Sequence, residues 1–276
     1  MLSFRNAVTR RAAVGLFALS TVAGLASCAY NDELGRSQLL FAGGAQLTQA
    51  AASAWNDLKQ QEKISRDTRY TSRLNRVAPK IITAAGGNPA EWEYVVFDSK
   101  ELNAFALPGG KIGVYTGIMD IMKNDAQLAA VVGHEVAHVN YNHSAERQSQ
   151  ATIAQVGLLG AQVVGASQCS GAETRAEAEA CQQTAGQWVQ ILGIGAMYGA
   201  ILPYSRTHEL EADSGGVRYM AAAGYDPREA INFWQGMAAA TANSGRPPEF
   251  ASTHPATDTR IQNLKAEVQR LGYSVN

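Results

Sequence analysis

Apolar side chains recur at helical spacing in the segment that follows residue 38. Two helices are predicted there, over residues 39–63 and 64–85. The apolar stripe of the second helix consists of Leu74, Val77, Ile81 and Ile82. Residues 86–89 read Gly-Gly-Asn-Pro, a combination that ends helices and forms turns. The pattern therefore predicts a helical pair that stops at residue 85.

Short segments suited to β-strands come next, at residues 92–98, 102–107 and 112–116. They are followed by an apolar run over 126–139 that is long enough for a buried helix. Together they predict a small sheet beside a core helix. The whole chain then belongs to the α+β class, with helices in the majority.

Two nearly uncharged segments rich in glycine and alanine, 151–166 and 188–202, predict a further pair of helices. Each is shorter than the roughly 20 residues that a bilayer span needs, and glutamines interrupt both. One interpretation is a pair of helices that touches a membrane. The interpretation we favour is a buried hairpin packed over the helix at 126–139.

The N-terminus has the features of an export signal. Positive charges at Arg5, Arg10 and Arg11 precede an apolar stretch that ends near Ser27 and is too short to span a bilayer. The stretch ends in Leu-Ala-Ser-Cys28, which resembles the bacterial lipobox, where the cysteine becomes the lipidated first residue. We predict a signal peptide over 1–27 and a single domain over 28–276.

The predicted location follows from that lipobox. Lipidation of Cys28 would anchor the protein to a membrane of the bacterial periplasm, and an ordinary signal peptide cut near Ala26 is the alternative. By resemblance to lipoprotein sorting, Ala29 in place of aspartate favours the outer membrane. Cys169 and Cys181 flank a polar connector, and an oxidising compartment would join them in a disulfide rather than leave two unrelated thiols.

Overall charge narrows the range of partners. The net charge is −1, with 17% charged and 46% hydrophobic residues. No basic excess indicates nucleic-acid binding, so no nucleic-acid partner is predicted. The function must instead be inferred from local sequence motifs.

One such motif, His134-Glu135-Val136-Ala137-His138, lies within the apolar run at 126–139. Residues four apart share a helix face, so both imidazoles can bind one metal ion. Glu135 is rotated towards the space beside the metal, where it can take a proton from a water molecule whose pKa the ion lowers. The motif predicts a zinc hydrolase site. The alternative is a surface helix with two solvated histidines, which the apolar flanks disfavour.

A candidate third ligand lies far downstream, where Glu209 and Asp213 are again four residues apart, although this stretch taken alone is better explained as an acidic surface helix. The first can bind zinc, and the second can accept a hydrogen bond from a ligand imidazole. Helical projection places Glu211 in solvent and turns His208 away from the metal. His143, five residues after His138, is likewise predicted to be a surface histidine.

These motifs resemble those of the zinc metallopeptidases of the HtpX and CAAX-prenyl-protease type, a gluzincin family. The nearest resemblance is to the bacterial periplasmic branch that includes LoiP, YcaL and BepA, without tetratricopeptide repeats. Three more segments carry the resemblance: residues 103–118, 202–206 and 252–261. It implies a helix-rich zincin fold with one zinc ion on His134, His138 and Glu209, and Glu135 as the base.

The resemblance also implies a role for a late loop that contains His254 and Arg260. His254 could occupy the fourth metal position at rest as a gate, or either residue could stabilise the oxyanion of the reaction. A turn that merely packs on the body is the third alternative. Unchanged kinetics after substitution of both residues would favour that one.

The expected function is cleavage of unfolded or misassembled envelope proteins. The substrate would add as a strand to the sheet edge formed by Asn103, Ala104, Phe105 and Ala106. A zinc-stabilised chaperone or assembly factor with a closed site is the alternative. An intact base argues against it, because a purely structural zinc site uses four ligands and no base.

Overall fold

The computed structural model describes residues 26–41, 44–196, 202–241, 249–255 and 257–275. It separates into two compact units. The hairpin unit comprises 1–43 and 145–205, and the HExxH unit comprises 44–144 and 206–276. The predicted signal peptide lies outside the described residues up to residue 25. The single domain predicted over 28–276 stays a prediction, and the two units are described separately.

The HExxH unit contains a three-stranded sheet and most of the helices. Its strands are β3 (Glu93–Phe97), β4 (Ala104–Leu107) and β5 (Lys111–Tyr115). Its helices before the motif are α1 (Gly44–Gln61), α2 (Thr68–Ala84) and α3 (Thr116–Asp120), and the motif helix is α4 (Asp125–Asn140). The later helices are α7 (Leu202–Ala222), α8 (Arg228–Thr241), α9 (Glu249–Thr253) and α10 (Asp258–Arg270). Helices predominate over strands, so the α+β, helix-rich class is confirmed.

The sheet has the order β3-β5-β4, with β5 parallel to β3 and antiparallel to β4. The outer side of β3 is covered in part by the preceding segment, through a bridge between Ile64 and Phe97. β4 therefore forms the other edge of the sheet. The three predicted strands agree with these within two residues at each end.

Helix α2 begins and packs as its pattern predicts. Asp67 caps the N-terminus by accepting a hydrogen bond from the backbone nitrogen of Arg69. The predicted stripe is buried throughout, with exposed fractions of 0–1%. Its members are Leu74, Val77, Ile81 and Ile82. Their burial against α4 and β3 forms the core on which the motif helix rests.

The first predicted helix is wrong at its start. Residues 36–41 form strand β2 (Arg36–Phe41), which pairs antiparallel with β1 (Ala26–Asn31), and Cys28 lies opposite Leu39. The local apolar spacing fits a helix, but pairing with a neighbouring strand satisfies the backbone and overrides that preference. Helix α1 starts only at Gly44.

The hairpin unit holds β1, β2 and two long helices, α5 (His143–Gln168) and α6 (Arg175–Ala196). Glu146 on α5 is fully buried, accepts two hydrogen bonds from Arg36 at 2.8 and 3.0 Å, and accepts one from Gln38 at 2.7 Å. A disulfide joins Cys169 and Cys181 across the connector between the helices. These contacts fix α5 on the strand pair and close the helical turn.

The prediction of a buried hairpin is wrong. Large apolar side chains along α5 and α6 are 46–69% exposed. They are Ile153, Leu159, Val163, Val164, Trp188, Ile191 and Leu192. The two helices approach each other closely at Gly165, where an added β-carbon would lie 2.9 Å from that of Ala185. None of the described helices is both long and apolar enough to cross a membrane.

Candidate metal centre

Helix α4 carries the HExxH motif through the interior of its unit. Every residue from Gln127 to His138 is buried, and Asn124 caps the N-terminus by accepting from the backbone nitrogen of Gln127. The helix packs against α2, α8 and β4. Its polar side chains are therefore placed among apolar ones, where each needs a partner to offset lost solvation.

Two glycines bring α4 and α7 into close contact. A β-carbon at Gly133 would lie 3.0 Å from the carbonyl oxygen of Gly216, and one at Gly216 would lie 2.9 Å from the backbone nitrogen of His134. Both distances are shorter than ordinary van der Waals contacts, so larger residues would push the helices apart. The close approach lets carboxylates on α7 reach imidazoles on α4.

Four side chains converge where these helices meet: His134, His138, Glu209 and His254, with their ligand atoms within 4.8 Å of one another. The Nε2 atoms of His134 and His138 are 3.1 Å apart. Each oxygen of the Glu209 carboxylate lies 3.3 Å from one of these nitrogens, Oε2 from that of His134 and Oε1 from that of His138. The structure thus brings together the three predicted ligands and the histidine of the late loop.

His254 lies directly against this cluster. Its Nδ1 is 2.8 Å from Glu209 Oε2 and 3.2 Å from His134 Nε2. The ring of Phe250, four residues earlier, contacts the imidazole at a centroid distance of 4.8 Å. His254 therefore lies within contact distance of the predicted ligands and is mostly buried.

Glu135 lies beside the cluster and next to the edge strand. Its Oε2 accepts a hydrogen bond from the backbone nitrogen of Ala106 on β4 at 3.0 Å. Its Oε1 is buried and has no hydrogen-bond partner among the described residues, with His254 Nε2 at 3.5 Å. A carboxylate so placed has one oxygen fixed and one available to take a proton.

Asp213 lies behind His134, with Oδ1 3.0 Å from the imidazole Nδ1. Arg260 donates to both oxygens of Asp213, at 2.7 and 2.6 Å, and its guanidinium stacks 3.9 Å from the ring centroid of Trp234. The guanidinium also lies 3.3 Å from Glu209. The structure therefore directs Arg260 mainly at Asp213, through a paired contact that holds the carboxylate in place.

Burial and partners shift the pKa values of the cluster in opposite directions. Burial lowers the pKa of His134, but hydrogen bonds to Asp213 and Glu209 outweigh it and raise the value to about 9. Burial dominates at His138 and keeps its pKa well below 6.5. Burial would raise the pKa of Glu209, yet its bonds with the imidazoles lower it.

A divalent metal ion fits these residues. The two Nε2 atoms point at each other across 3.1 Å, and Glu209 Oε1 is buried without a hydrogen-bond partner among the described residues. Two imidazoles and one carboxylate form a donor set used by catalytic zinc. A metal at this point would satisfy all three groups.

The prediction that His143 is a surface residue is wrong. His143 is fully buried, and its Nδ1 is 2.8 Å from the Nδ1 of His138. The helical projection fails because α4 ends at Asn140, and Asn142 adopts a left-handed backbone with φ of 53°. Asparagine tolerates that conformation better than other non-glycine residues and often ends a helix, so it was the signal that could have identified the break.

The prediction that Glu211 lies in solvent is also wrong. Its side chain is 16% exposed, and Oε2 lies 3.0 Å from His143 Nε2. His208, predicted to face away from the metal, is buried and stacks on His143 with ring centroids 4.2 Å apart. No local pattern indicates these contacts, because they depend on where α7 crosses the end of α4.

Comparison with known proteins places this geometry in context. The model of the family described as Peptidase family M48 matches residues 68–268. The mitochondrial metalloendopeptidase OMA1 of Schizosaccharomyces pombe is 35% identical over 196 residues, which cover 71% of this chain and 52% of that protein. The mitochondrial metalloendopeptidase OMA1 of Bos taurus is 31% identical over 245 residues, covering 83% and 44%.

A bacterial relative completes the comparison. The beta-barrel assembly-enhancing protease of Escherichia coli (strain K12) is 25% identical over 218 residues, which cover 78% of this chain and 42% of that protein. The chain spans about half the length of the curated relatives it matches, from 42% to 52% for these three. The similarity therefore concerns the region that holds the described site.

Proposed function

Because the chain belongs to peptidase family M48, we propose that it is a zinc metalloendopeptidase that cleaves unfolded or misassembled proteins of the bacterial envelope. The observation that carries the proposal is the convergence of His134, His138 and Glu209, with Glu135 beside them. Three ligands leave a position open for chemistry, and the nearby carboxylate is a base that a structural site would not need.

We assign the metal to His134, His138 and Glu209, one zinc ion per chain. Bound zinc would lower the pKa of a water molecule and polarise the substrate carbonyl. Glu135 would accept a proton from the attacking water as the water oxygen bonds to the carbonyl carbon. It would return that proton to the amine nitrogen as the carbon–nitrogen bond breaks, which gives a carboxylic acid and an amine.

The edge strand supports binding of an extended substrate. The backbone carbonyl of Asn103 accepts a hydrogen bond from the backbone nitrogen of Tyr115 on β5. Backbone hydrogen-bonding groups point to alternate sides along an antiparallel edge strand, so those of Ala104 and Ala106 point away from β5. The Ala106 nitrogen meets Glu135 there. A substrate that pairs with residues 103–106, including Phe105, would lie along the metal cluster. Backbone pairing gives loose sequence preference, which suits unfolded proteins.

His254 supports a gate. Its position in the ligand set, 2.8 Å from Glu209, would close the fourth metal position at rest. The alternative role, an oxyanion donor, would require His254 to face the substrate carbonyl. A gate predicts more proteolysis and self-cleavage by His254→Ala, whereas an oxyanion donor predicts a fall in kcat of roughly 10²–10³.

Arg260 supports a different role from the predicted oxyanion donor. Its paired contact with Asp213 fixes the carboxylate that meets His134 Nδ1, so we assign both residues to orienting that ligand. The guanidinium stays charged and buried against Trp234, which suits a permanent structural counterion.

The leader and Cys28 support the location. We propose that the protein is lipid-anchored through Cys28 in the periplasm, at the outer membrane, on the evidence of the lipobox-like sequence. The bacterial relative named for β-barrel assembly favours an envelope substrate, whereas the other two are named as mitochondrial. Cys28→Ser should move the protein from the membrane fraction to the soluble fraction. Retention after a salt wash would contradict the anchor.

The decisive experiment compares wild type with Glu135→Gln on an unfolded protein substrate such as casein. We expect both to bind one zinc ion per chain, and the variant to lose roughly 10²–10⁴ in kcat, because the ligands remain and the base is gone. Glu91→Gln, an exposed carboxylate before β3, is the matched control and should cleave normally. Full cleavage by Glu135→Gln would refute the mechanism.

The same variant separates the enzyme from a chaperone. Envelope proteomics should reveal proteins that accumulate or remain bound when Glu135→Gln replaces wild type in cells. If the variant performs every cellular task of the wild type, a zinc-stabilised assembly factor is the correct function.

A further inference from the structure

A second group of titratable side chains lies behind His138, on the Nδ1 side of its ring, whereas the Nε2 side faces His134. His143 and His208 are fully buried, and Glu211 is mostly buried. The three form a cluster whose ligand atoms lie within 4.8 Å of one another. Nothing in the proposed reaction uses them, so their burial beside a metal ligand requires an explanation.

The contacts form a chain that begins at His138. Its Nδ1 lies 2.8 Å from His143 Nδ1, and the other nitrogen of His143 lies 3.0 Å from Glu211 Oε2. The proposed metal takes His138 through Nε2, so the proton of that imidazole must be on Nδ1. His138 therefore donates to His143, and His143, with its proton on Nε2, donates to Glu211. Each of these two hydrogen bonds then joins one donor to one acceptor.

We propose that His143 and Glu211 form a positioning pair that holds His138 in the tautomer whose Nε2 binds the metal. This inference rests on the proposed metal site. The pair gives His138 what Asp213 gives His134: an acceptor behind the ring that fixes its orientation and its proton. The difference is that His143 relays the contact, because Glu211 itself is bonded to His143.

His208 completes the arrangement through packing. Its ring is stacked on that of His143 with an interplanar angle of 13°, and Tyr141 contacts His143 edge-on at 5.6 Å. These flat and perpendicular contacts define the plane of the His143 ring. The ring can then present Nδ1 to His138 and Nε2 to Glu211 at the same time.

A second metal ion in this cluster conflicts with the first. A metal on His143 Nε2 would displace its proton to Nδ1, which would then donate to His138. The His138 Nδ1 would have to be unprotonated while its Nε2 also binds metal, which makes it an imidazolate. One proton on each neutral ring satisfies the positioning pair and needs no such charge. The geometry therefore favours a hydrogen-bonded pair over a second metal site.

The test measures zinc affinity by competition with a chromophoric chelator, on full-length protein, with peptidase activity recorded in parallel. We expect His143→Ala and Glu211→Leu each to weaken zinc binding roughly 10–100-fold. His143→Asn and Glu211→Gln should recover much of that loss, because each retains an acceptor at the position that matters. Glu91→Gln, which changes an exposed carboxylate outside both clusters, is the control and should keep wild-type affinity. His208→Phe keeps the stacked ring but removes two possible ligand nitrogens, so the number of zinc ions that it binds tests for a second site. One zinc ion in wild type and one in this variant supports the positioning pair.

Folding of each variant is checked by the thermal unfolding of the zinc-free protein. If His143→Ala does not fold, Glu211→Leu against Glu211→Gln decides the question, since the Glu211 side chain is partly exposed and tolerates change. Wild-type affinity in a folded His143→Ala or Glu211→Leu variant would overturn the pair. Two zinc ions in wild type and one in His208→Phe would establish the second metal site instead.

The outcomes also distinguish this inference from the proposed function. A wild type that binds zinc but cleaves nothing would contradict the peptidase while leaving the affinity series intact. A wild type that cleaves normally, with affinities unaffected by the four substitutions at 143 and 211, would contradict only the positioning pair.

Discussion

The two compact units differ in the polar groups that one buries and the apolar groups that the other exposes. The HExxH unit encloses charged and polar groups that contact one another in its interior: His134, Glu135, His138, Glu209, Asp213 and Arg260. The hairpin unit exposes large apolar side chains, among them Leu159 and Trp188, which are 60% and 61% exposed. An ordinary fold would place these groups the other way round.

The difference shows where specific contacts fix the positions of side chains. A buried charge is costly unless it is paired, so each group in the HExxH unit is held to particular partners. Exposed apolar side chains impose no such requirement. The helices that carry them, α5 and α6, approach each other closely at Gly165 and Ala185. We therefore expect substitutions in the first unit to have large, position-specific effects, and the same substitutions in the second to have small ones.

The largest effect is expected from Asp213→Ala. The change leaves Arg260 buried without its paired carboxylate and His134 without its acceptor. We expect zinc affinity to fall roughly 10–100-fold and the free energy of unfolding to fall by about 3–5 kcal/mol. Chelator competition and urea unfolding measure the two quantities.

Asp226→Ala is the matched control for that change. Asp226 also contacts an arginine, Arg228, but the two side chains are 38% and 48% exposed. Solvent screens such a pair, so its loss should cost less than about 1 kcal/mol and leave zinc affinity unchanged. Equal effects at Asp213 and Asp226 would remove the distinction between buried and exposed charge.

A second prediction applies one substitution to both units. Leu128 on α4 is 0% exposed, and Leu159 on α5 is 60% exposed. Leu128→Ala should lower the free energy of unfolding by about 2–5 kcal/mol through lost burial and a cavity. Leu159→Ala should change it by less than about 0.5 kcal/mol. A large loss at Leu159 in denaturant titrations would mean that another surface covers the hairpin in solution.

The last prediction concerns the disulfide, whose loss should affect stability but not zinc binding. Cys169 and Cys181 close a short loop, with a sequence separation of 12. Replacing both by serine should destabilise the fold by roughly 3 kcal/mol at most, because the unfolded chain regains the freedom of that loop. Zinc affinity should not change, because the loop belongs to the hairpin unit. Calorimetry of the double variant, with chelator competition alongside, tests both statements, and a fall in affinity would contradict the separation of the units.

Much of the HExxH unit could be predicted from local sequence. The stripe of α2, the three strands and the apolar run of α4 are regular patterns, and each predicts an element that the structure contains. The assignment of Glu209 to the same metal as His134 and His138 depended on the resemblance to a known family, although helical spacing does place Glu209 and Asp213 on one face. Spacing alone did not establish that this face meets α4.

The errors share a physical origin. Strand β2 was predicted as helix because its partner β1 lies in a segment with no strand pattern of its own. His143 was predicted at the surface because projection assumed one continuous helix, whereas Asn142 turns the backbone between α4 and α5. Glu211 was predicted in solvent because its contact with His143 depends on where α7 crosses the end of α4. The hairpin was predicted to be buried because its residues are apolar, but apolar composition does not supply a covering surface.

The sequence by itself determined which residues can bind a metal and which can act as a base, since those properties belong to side-chain chemistry and to helical spacing. Only the tertiary structure decided that His254 lies against Glu209, that Arg260 contacts Asp213, and that His143 lies behind His138. Those contacts join residues distant in sequence or separated by a break in the helix. They form because the fold buries these polar groups together, and a buried polar group needs a partner to offset its lost solvation.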